Sequence, residues 1–357
     1  MSTSNYYFKG LLLYCLARIK DERSIYSIYH ILKGKKSSQT IQDCHLFQLY
    51  SLFSCYRSLK RGYLDEQIKQ LVSSGELELV DQDKSIYLIT LRGKETLSNW
   101  ENVSGLPQYL NGGWFHTVDE IFWRRLTIST QVLSHLVRGQ NRFIPVSRDE
   151  QILKWVKKWR KKQTSIPNAS QMLHIELYFL LNQLQPLQAT LIVNKFTGTN
   201  QVGKTTTQIS QQLNIEPFQG HLNFLSTLHF IMRKVIQEKV SYPMLYSMIE
   251  DLTGQSLLTQ STSKTYTLLR KGYSIEEIAH LRKLRKNTIE DHIVEISLIQ
   301  GDFDITPFLP YEMGKEISKT ATQIGTKKLK AIKEKHPNAS YFQIRLVLAR
   351  QEVSHES

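Results

Sequence analysis

Apolar residues recur at helical spacing along most of the chain, and one stretch organises the reading of the rest. Between Thr267 and Ile299, residues Ile275, Ile278, Ala279 and Leu281 mark one face of a short helix. Ile289, Ile293, Ile296 and Ile299 mark the buried stripe of a longer one. The preceding helix ends at Lys271-Gly272, where glycine permits the left-handed turn that closes a helix. Ser274 with Glu277 forms a capping box, and Asn287 with Glu290 repeats it beyond the basic turn Arg282 to Lys286. This spacing predicts a helix-turn-helix, whose second helix enters a DNA major groove with its first residues at the bases. Capped helical hairpins also occur in proteins that never meet DNA.

The same periodicity organises the other segments. Residues 6–33 read as helices broken near Asp21-Glu22, a further helical run reaches Phe53, and Asp65 to Ser74 forms an amphipathic helix stopped by Gly75. Glu76 to Val80 and Ser85 to Thr90 alternate around Asp81-Gln82-Asp83-Lys84, which predicts a hairpin. Helices followed by a hairpin make a winged helix. Gly105, Pro107, Gly112 and Gly113 give residues 99–113 a linker composition. Ser147 with Glu150 opens a helix to about Lys162, in which Trp155 and Trp159 share a face among five cations. Such a face suits either stacking of single strands or a packed core. Thr205 with Gln208, followed by Ile209 and Ser210, repeats the logic of Ser274, with its own second helix from Pro217. Beyond Gly254 and a Ser/Thr-rich stretch to Thr265 comes the first-described module, and Tyr341 to Leu346 supplies a stripe to pack on it. The fold class is therefore mainly α. Its expected domains are a winged helix over 1–98, a linker and basic aromatic helical region over 99–163, a helical domain over 164–257 and the helix-turn-helix domain over 258–357.

Charge adds a partner class. The 357 residues carry a formal net charge of +14, divided as +4, +6, zero and +4 over 1–100, 101–200, 201–257 and 258–357. An anionic partner is favoured, and the third segment is a poor DNA surface. Cys15, Cys44 and Cys55 are odd in number and lack C-x-x-C spacing, so neither a disulfide framework nor a zinc site is indicated, and a reducing cytoplasm fits. The apolar run Leu11 to Leu16 is too short to span a bilayer, and no secretion signal is read.

One motif points elsewhere. Gly198 to Thr205 satisfies G-x-x-x-x-G-K-[ST], a phosphate-cradling loop. That loop must join a buried strand directly to a helix, yet Asn194 to Thr197 intervenes and no alternating strand and helix pattern surrounds it. The Thr205 helix-turn-helix accounts better for these residues. The eleven histidines are scattered, and neither H-E-x-x-H nor a hydrolase nucleophile motif occurs, so no enzyme, cofactor or small-molecule substrate is expected.

Three resemblances give these modules relatives. Lys33-Gly34 with Lys35 to Ser38, Asp43-Cys44-His45-Leu46-Phe47 and Val72-Ser73-Ser74-Gly75-Glu76-Leu77 resemble the winged-helix (RQC) module of RecQ-type helicases. In that family the module binds duplex DNA at a fork. Here the family's cysteine zinc site is absent, and the acidic wing tip lacks the aromatic wedge that would part strands. The Thr205 segment is similar to the DNA-binding end domain of sigma factors. Ser263 to Ala349, with Gly-Tyr-Ser-Ile-Glu-Glu-Ile-Ala and Asn-Thr-Ile-Glu-Asp-His-Ile, resembles the helicase helix-turn-helix domain at the end of some RecQ-type helicases. Together the two ends resemble the YpbB family of low-GC Gram-positive bacteria, which implies association with a separate RecQ-type helicase.

The expected function is a non-catalytic, cytoplasmic and nucleoid-associated accessory protein that contacts duplex or forked DNA. Arg282, Lys283, Arg285 and Lys286 would hold phosphates, and Asn287, Thr288 and Asp291 would face the bases. Lys35, Lys36, Ser37 and Thr40 would form a second phosphate site, and Lys327 to Lys330 could add contacts. A sequence-specific regulator, a scaffold that binds the helicase without DNA, and an ATPase are the alternatives.

Overall fold

The computed structural model describes residues 5–253, 258–325 and 327–356, so Gly254 and the boundary read at residue 257 lie outside it. The fold is mainly helical, with a small two-stranded antiparallel sheet and a C-terminal helix-turn-helix domain. The four consecutive segments are gathered into two units. One comprises Met1–Leu11 with Leu97–Gln255, and the other Leu12–Thr96 with Ser256–Ser357. The chain passes between them within helices Tyr6–Ile19 and Leu91–Val103. The second of these helices runs through residues 99–103, so the linker expected from residue 99 starts later: its glycines and proline all follow Val103.

In the first unit, Tyr7 and Phe8 pack on Trp100 and Phe218, with ring centroids 5.4 Å apart for Tyr7–Trp100 and 5.1 Å for Phe8–Phe218. Gly10 is required there, because a Cβ would stand 2.2 Å from the Trp100 ring. The capping box of Thr205 and Gln208 opens helix Thr206–Gln212 as expected. Helix Pro217–Gln237 crosses it where Ser210, fully buried, meets Gly220. Helix Glu150–Lys161 is capped by Asp149, two residues beyond the cap read at Ser147. The Asp149 carboxylate accepts the Gln151 and Ile152 amides, while Ser147 Oγ accepts the Asp149 amide. Trp159 is buried and donates to Ser247 Oγ at 2.8 Å; Trp155 lies under the Arg125 guanidinium, 4.1 Å from its centroid. Both indoles therefore serve the core.

The second unit begins with helices Ile25–Lys33, Ser38–Leu46 and Arg61–Ser73 and the hairpin Leu77–Asp81 with Ile86–Ile89, paired from Leu77↔Ile89 with a bulge between Leu79 and Asp81. Its C-terminal half holds helices Gln260–Leu269, Ile275–Arg282, Lys286–Ile299, Tyr311–Ile324, Leu329–Lys335 and Tyr341–Glu356. Three short helices bury too little apolar surface to hold together by themselves. Here Ile278, Ile289, Ile293 and Leu298 form one core with Phe342 and Leu346 of the last helix, and Ile41 closes it from helix Ser38–Leu46. Arg345 fastens the arrangement: Nε donates to Gln42 Oε1 at 2.9 Å and Nη1 to Asp291 Oδ1 at 2.6 Å. The Lys327 amide donates to the Glu22 carboxylate, and Lys328 Nζ lies 2.5 Å from Asp21 Oδ2, so these two lysines join the halves rather than stand apart.

Arg345→Ala removes two charge-assisted bonds from a largely covered site and should destabilise this unit by about 2 kcal/mol. Urea unfolding checks it, and an unchanged midpoint would show that Ile41 packing and the Glu22–Lys327 and Asp21–Lys328 contacts hold the halves together without Arg345.

Candidate nucleic-acid interface

The helix-turn-helix is assembled by local chemistry first. Ser274 Oγ accepts the Glu277 amide at 3.3 Å and the Glu277 carboxylate accepts the Ser274 amide at 2.8 Å, which also holds the Glu277 pKa below its usual range. The helix ends at Lys283, whose backbone is left-handed (φ 53°, ψ 43°), and the Leu284 amide returns to Ala279 O at 3.0 Å. Leu284 packs into the core and Arg285 is extended, so the next helix starts at Lys286. Its N-cap position is thus Arg285. Asn287 lies inside the first turn, and the second capping box read there does not form. Leu281 is 56% exposed, because six residues from Ile275 it points away from the face of Ile275, Ile278 and Ala279.

The DNA-contacting residues read from the sequence divide into two groups. Lys283, Arg285, Lys286 and Asn287 are exposed at the start of the second helix, with Thr288 half-exposed beside them. Three cations and an amide there stand at a helix N-terminus, whose backbone N–H groups themselves favour anions. Lys286 Nζ is 2.8 Å from Glu276 Oε1 across the turn; both side chains are mostly exposed, so a phosphate competes with Glu276 for it. The other group is engaged in the fold. Arg282 turns inward to donate to Ser261 O at 2.8 Å, to Ser261 Oγ at 3.0 Å and to Thr265 Oγ1. Asp291 faces the last helix, paired with Arg345.

Behind this surface the second helix is held by buried polar groups. Thr265 Oγ1 lies 2.8 Å from His292 Nδ1, with Arg282 donating to the same hydroxyl. The donor chain runs Arg282 to Thr265 to His292, which requires an unprotonated Nδ1. Burial, and then the Arg282 charge, push the His292 pKa down to about 4. Glu295 accepts from the Thr259 amide at 2.6 Å and the Thr262 hydroxyl at 2.6 Å, and burial raises its pKa.

The second expected site is also rearranged. Lys35 and Lys36 are exposed, but Ser37 caps helix Ser38–Leu46 and Thr40 is 4% exposed, its hydroxyl 2.9 Å from that of Ser37. Sequence reading passed over Arg57 and Arg61, which the fold brings to the Lys35 loop, and the exposed Lys60 beside Arg61. Gly34, at φ 73°, lies against Ser54, and Arg57 Nε donates to Ser54 Oγ at 2.9 Å. Arg61 stacks 3.9 Å over the Tyr26 ring, and the charges of Lys35 and Arg61, after burial, depress the His30 pKa. The signal was present as cations interleaved with Tyr56 and Tyr63. At the hairpin tip the Asp81 carboxylate is turned onto Lys84, 2.9 Å from Nζ.

The phosphate-loop match joins two helices, Pro186–Val193 and Thr206–Gln212. Its amides are already donating: Gly198 to Gln201 O at 2.9 Å, Gly203 to Thr197 Oγ1 at 2.8 Å and Lys204 to Asn194 O at 2.8 Å. Lys204 Nζ reaches Gln212 Oε1 at 3.0 Å.

A helix-turn-helix domain family model matches residues 261–348, from Ser261, which receives Arg282, to the helix that carries Arg345. Protein YpbB of Bacillus subtilis (strain 168) is 31% identical over 346 residues, 97% of each chain. The chain belongs to the YpbB family. No solved structure matches it. The YpbB match covers both units, so the Lys35 loop and the helix-turn-helix belong to one family architecture. No helix among the described residues is long and apolar enough to cross a membrane.

His292 supplies a pH test. Its folded pKa of about 4 lies below the ordinary 6.5, so the unfolded chain binds more protons between these values and stability falls as pH drops from 6.5 towards 4. His292→Asn, whose Oδ1 replaces Nδ1 as acceptor, should flatten that fall in thermal unfolding, leaving the parallel contribution of buried His45, also held at about 4. An identical slope in the variant would mean that His292 is not the buried neutral group described.

Proposed function

We propose that this chain is a DNA-binding accessory protein without catalysis of its own, supplying duplex or fork contacts to a RecQ-type helicase in repair or recombination. The observation that carries the reading is the exposed set Lys283, Arg285, Lys286 and Asn287 at the N-terminus of the second helix of a family-level helix-turn-helix. Lys283 and Arg285 hold backbone phosphates, Lys286 exchanges Glu276 for a phosphate, and Asn287 and Thr288 reach towards base edges. Arg282 and Asp291 position that helix instead of touching DNA.

The Lys35, Lys36, Arg57, Lys60 and Arg61 set of the same unit adds a second backbone contact, with Tyr26 beneath Arg61. Hairpin and helices play the part of a winged helix, as the resemblance to the RecQ module implies. The self-paired acidic tip, Asp81 with Lys84, offers no wedge, so the part of this module is grip and not strand separation.

Fluorescence anisotropy of labelled duplex, forked and single-stranded DNA over a salt series tests the reading. The triple variant Lys283→Ala, Arg285→Ala, Lys286→Ala should lose affinity and flatten the salt slope by about 2 to 3 units. Glu276→Gln, which frees Lys286, should bind more tightly than the natural chain. Unaltered binding in the triple variant would remove the helix-turn-helix from the DNA surface, and a duplex sequence preferred a thousandfold would point to a regulator. Addition of the protein to a RecQ-type helicase should raise unwinding of forked DNA, and no change in unwinding would leave a DNA-binding protein without that partner.

A further inference from the structure

The unit built from Met1–Leu11 and Leu97–Gln255 carries an apolar groove of about 590 Å³ between helices Asp119–Val137, Ile166–Leu181 and Pro186–Val193. Leu133, Leu173 and Leu177 form its floor, and Val137, Tyr178 and Val193 its half-exposed rim. On the side of helix Ile166–Leu181 turned away from the groove, Met172, Ile175 and Phe179 are 44%, 41% and 59% exposed. That helix has one charged side chain, Glu176, which is buried and accepts the Met244 and Leu245 amides at 2.9 Å each. Its outer face therefore carries no Lys, Arg or carboxylate over sixteen residues, about 24 Å of helix. Asn168, Gln171 and His174 are exposed along that face, so the apolar contact surface is the groove itself, with Tyr178 on its rim.

Charge selects the occupant. The groove is lined by Arg138, whose guanidinium donates to Asn200 Oδ1 at an exposed site, by His174 and by no carboxylate. Lys161 and Lys162 precede Ile166 by only a few residues and are exposed at the other end of the helix. A second copy of the chain would bring these cations against one another. Nucleic acid could meet the cations but would leave the apolar floor uncovered. We infer that this groove receives an amphipathic helix of a partner protein, whose apolar stripe is flanked by carboxylates that meet Arg138 at one end and Lys161 and Lys162 at the other. The surface uses none of the DNA-contacting residues, so this inference and the DNA reading can fail separately.

The probe is a displayed library of helical peptides about eighteen residues long, randomised at every position, selected on the full-length chain and counter-selected on a Tyr178→Ala, Val193→Ala variant. Both side chains line the groove and are about half exposed, so the variant should keep the natural melting temperature, which is measured alongside. Selected peptides should carry an i, i+4, i+7 apolar stripe with Asp or Glu flanks, bind the variant at least tenfold more weakly, and lose preference for acidic flanks when Lys161 and Lys162 are changed to Glu. Enrichment of Lys or Arg flanks, recovery of no apolar stripe, or equal binding to the variant would overturn the inference. So would a dimer, seen by light scattering, that the same two substitutions dissociate, because it would assign the groove to a second copy.

Discussion

The helix-turn-helix depends on a helix from the far end of the chain. Ile278, Ile289 and Ile293 cannot be covered by their own short hairpin, and Ile41 and Phe342 supply what is missing. Arg345 then bonds Gln42, 303 residues earlier, and Asp291, so that three helices meet at one guanidinium. Ordering so distant a segment costs loop entropy that only well-packed contacts offset. The N- and C-terminal parts of the second unit therefore stand or fall together, and the unit acquires its shape from contacts of high sequence separation.

That constraint also separates what the sequence reveals from what it hides. The capping boxes at Ser274 and Thr205, the hairpin around Asp81 and the stripe from Tyr341 depend on neighbours within a few residues, and each stands where the pattern placed it. The cap read at Asn287 fails because the left-handed Lys283 closes the turn early and the cap position falls at Arg285, two residues sooner. Ser147 loses to Asp149 because a carboxylate two residues on reaches two amides together. The fates of Arg282 and Asp291 were beyond any local rule. Each looks like a surface group in its own helix, and only Ser261 and Arg345 determine where its polar atoms go, whereas Thr40 meets the Ser37 cap three residues before it.

Net charge gives a similarly incomplete guide. Among the 46 basic residues, Arg125 binds Asp251, Arg23 binds Asp43 and Lys328 binds Asp21, so part of the basic complement is structural. Exposed cations occur along much of the chain, Lys157, Lys158, Lys161 and Lys162 among them; those at a helix start or closure include Lys35 and Lys36 before Ser38, and Lys283, Arg285 and Lys286 at the tight turn. Placement, more than number, makes them candidates for phosphate.

The two basic sets are linked by the same arginine that closes the core. Helix Ser38–Leu46 begins beside Lys35 and Lys36, inserts Ile41 into the core and offers Gln42 to Arg345. The helix that begins at Lys286 offers Asp291 to the other side of that guanidinium. Neither set can rotate freely of the other without breaking a charge-assisted bond or uncovering Ile41. On the DNA-binding reading this matters for affinity, because a second phosphate contact held in fixed relation to the first is an intramolecular event and gains by effective concentration. The same rigidity limits which DNA shapes can satisfy both sets at once. Preference among duplex, fork and single strand then follows from spacing set by the core, without any base being read.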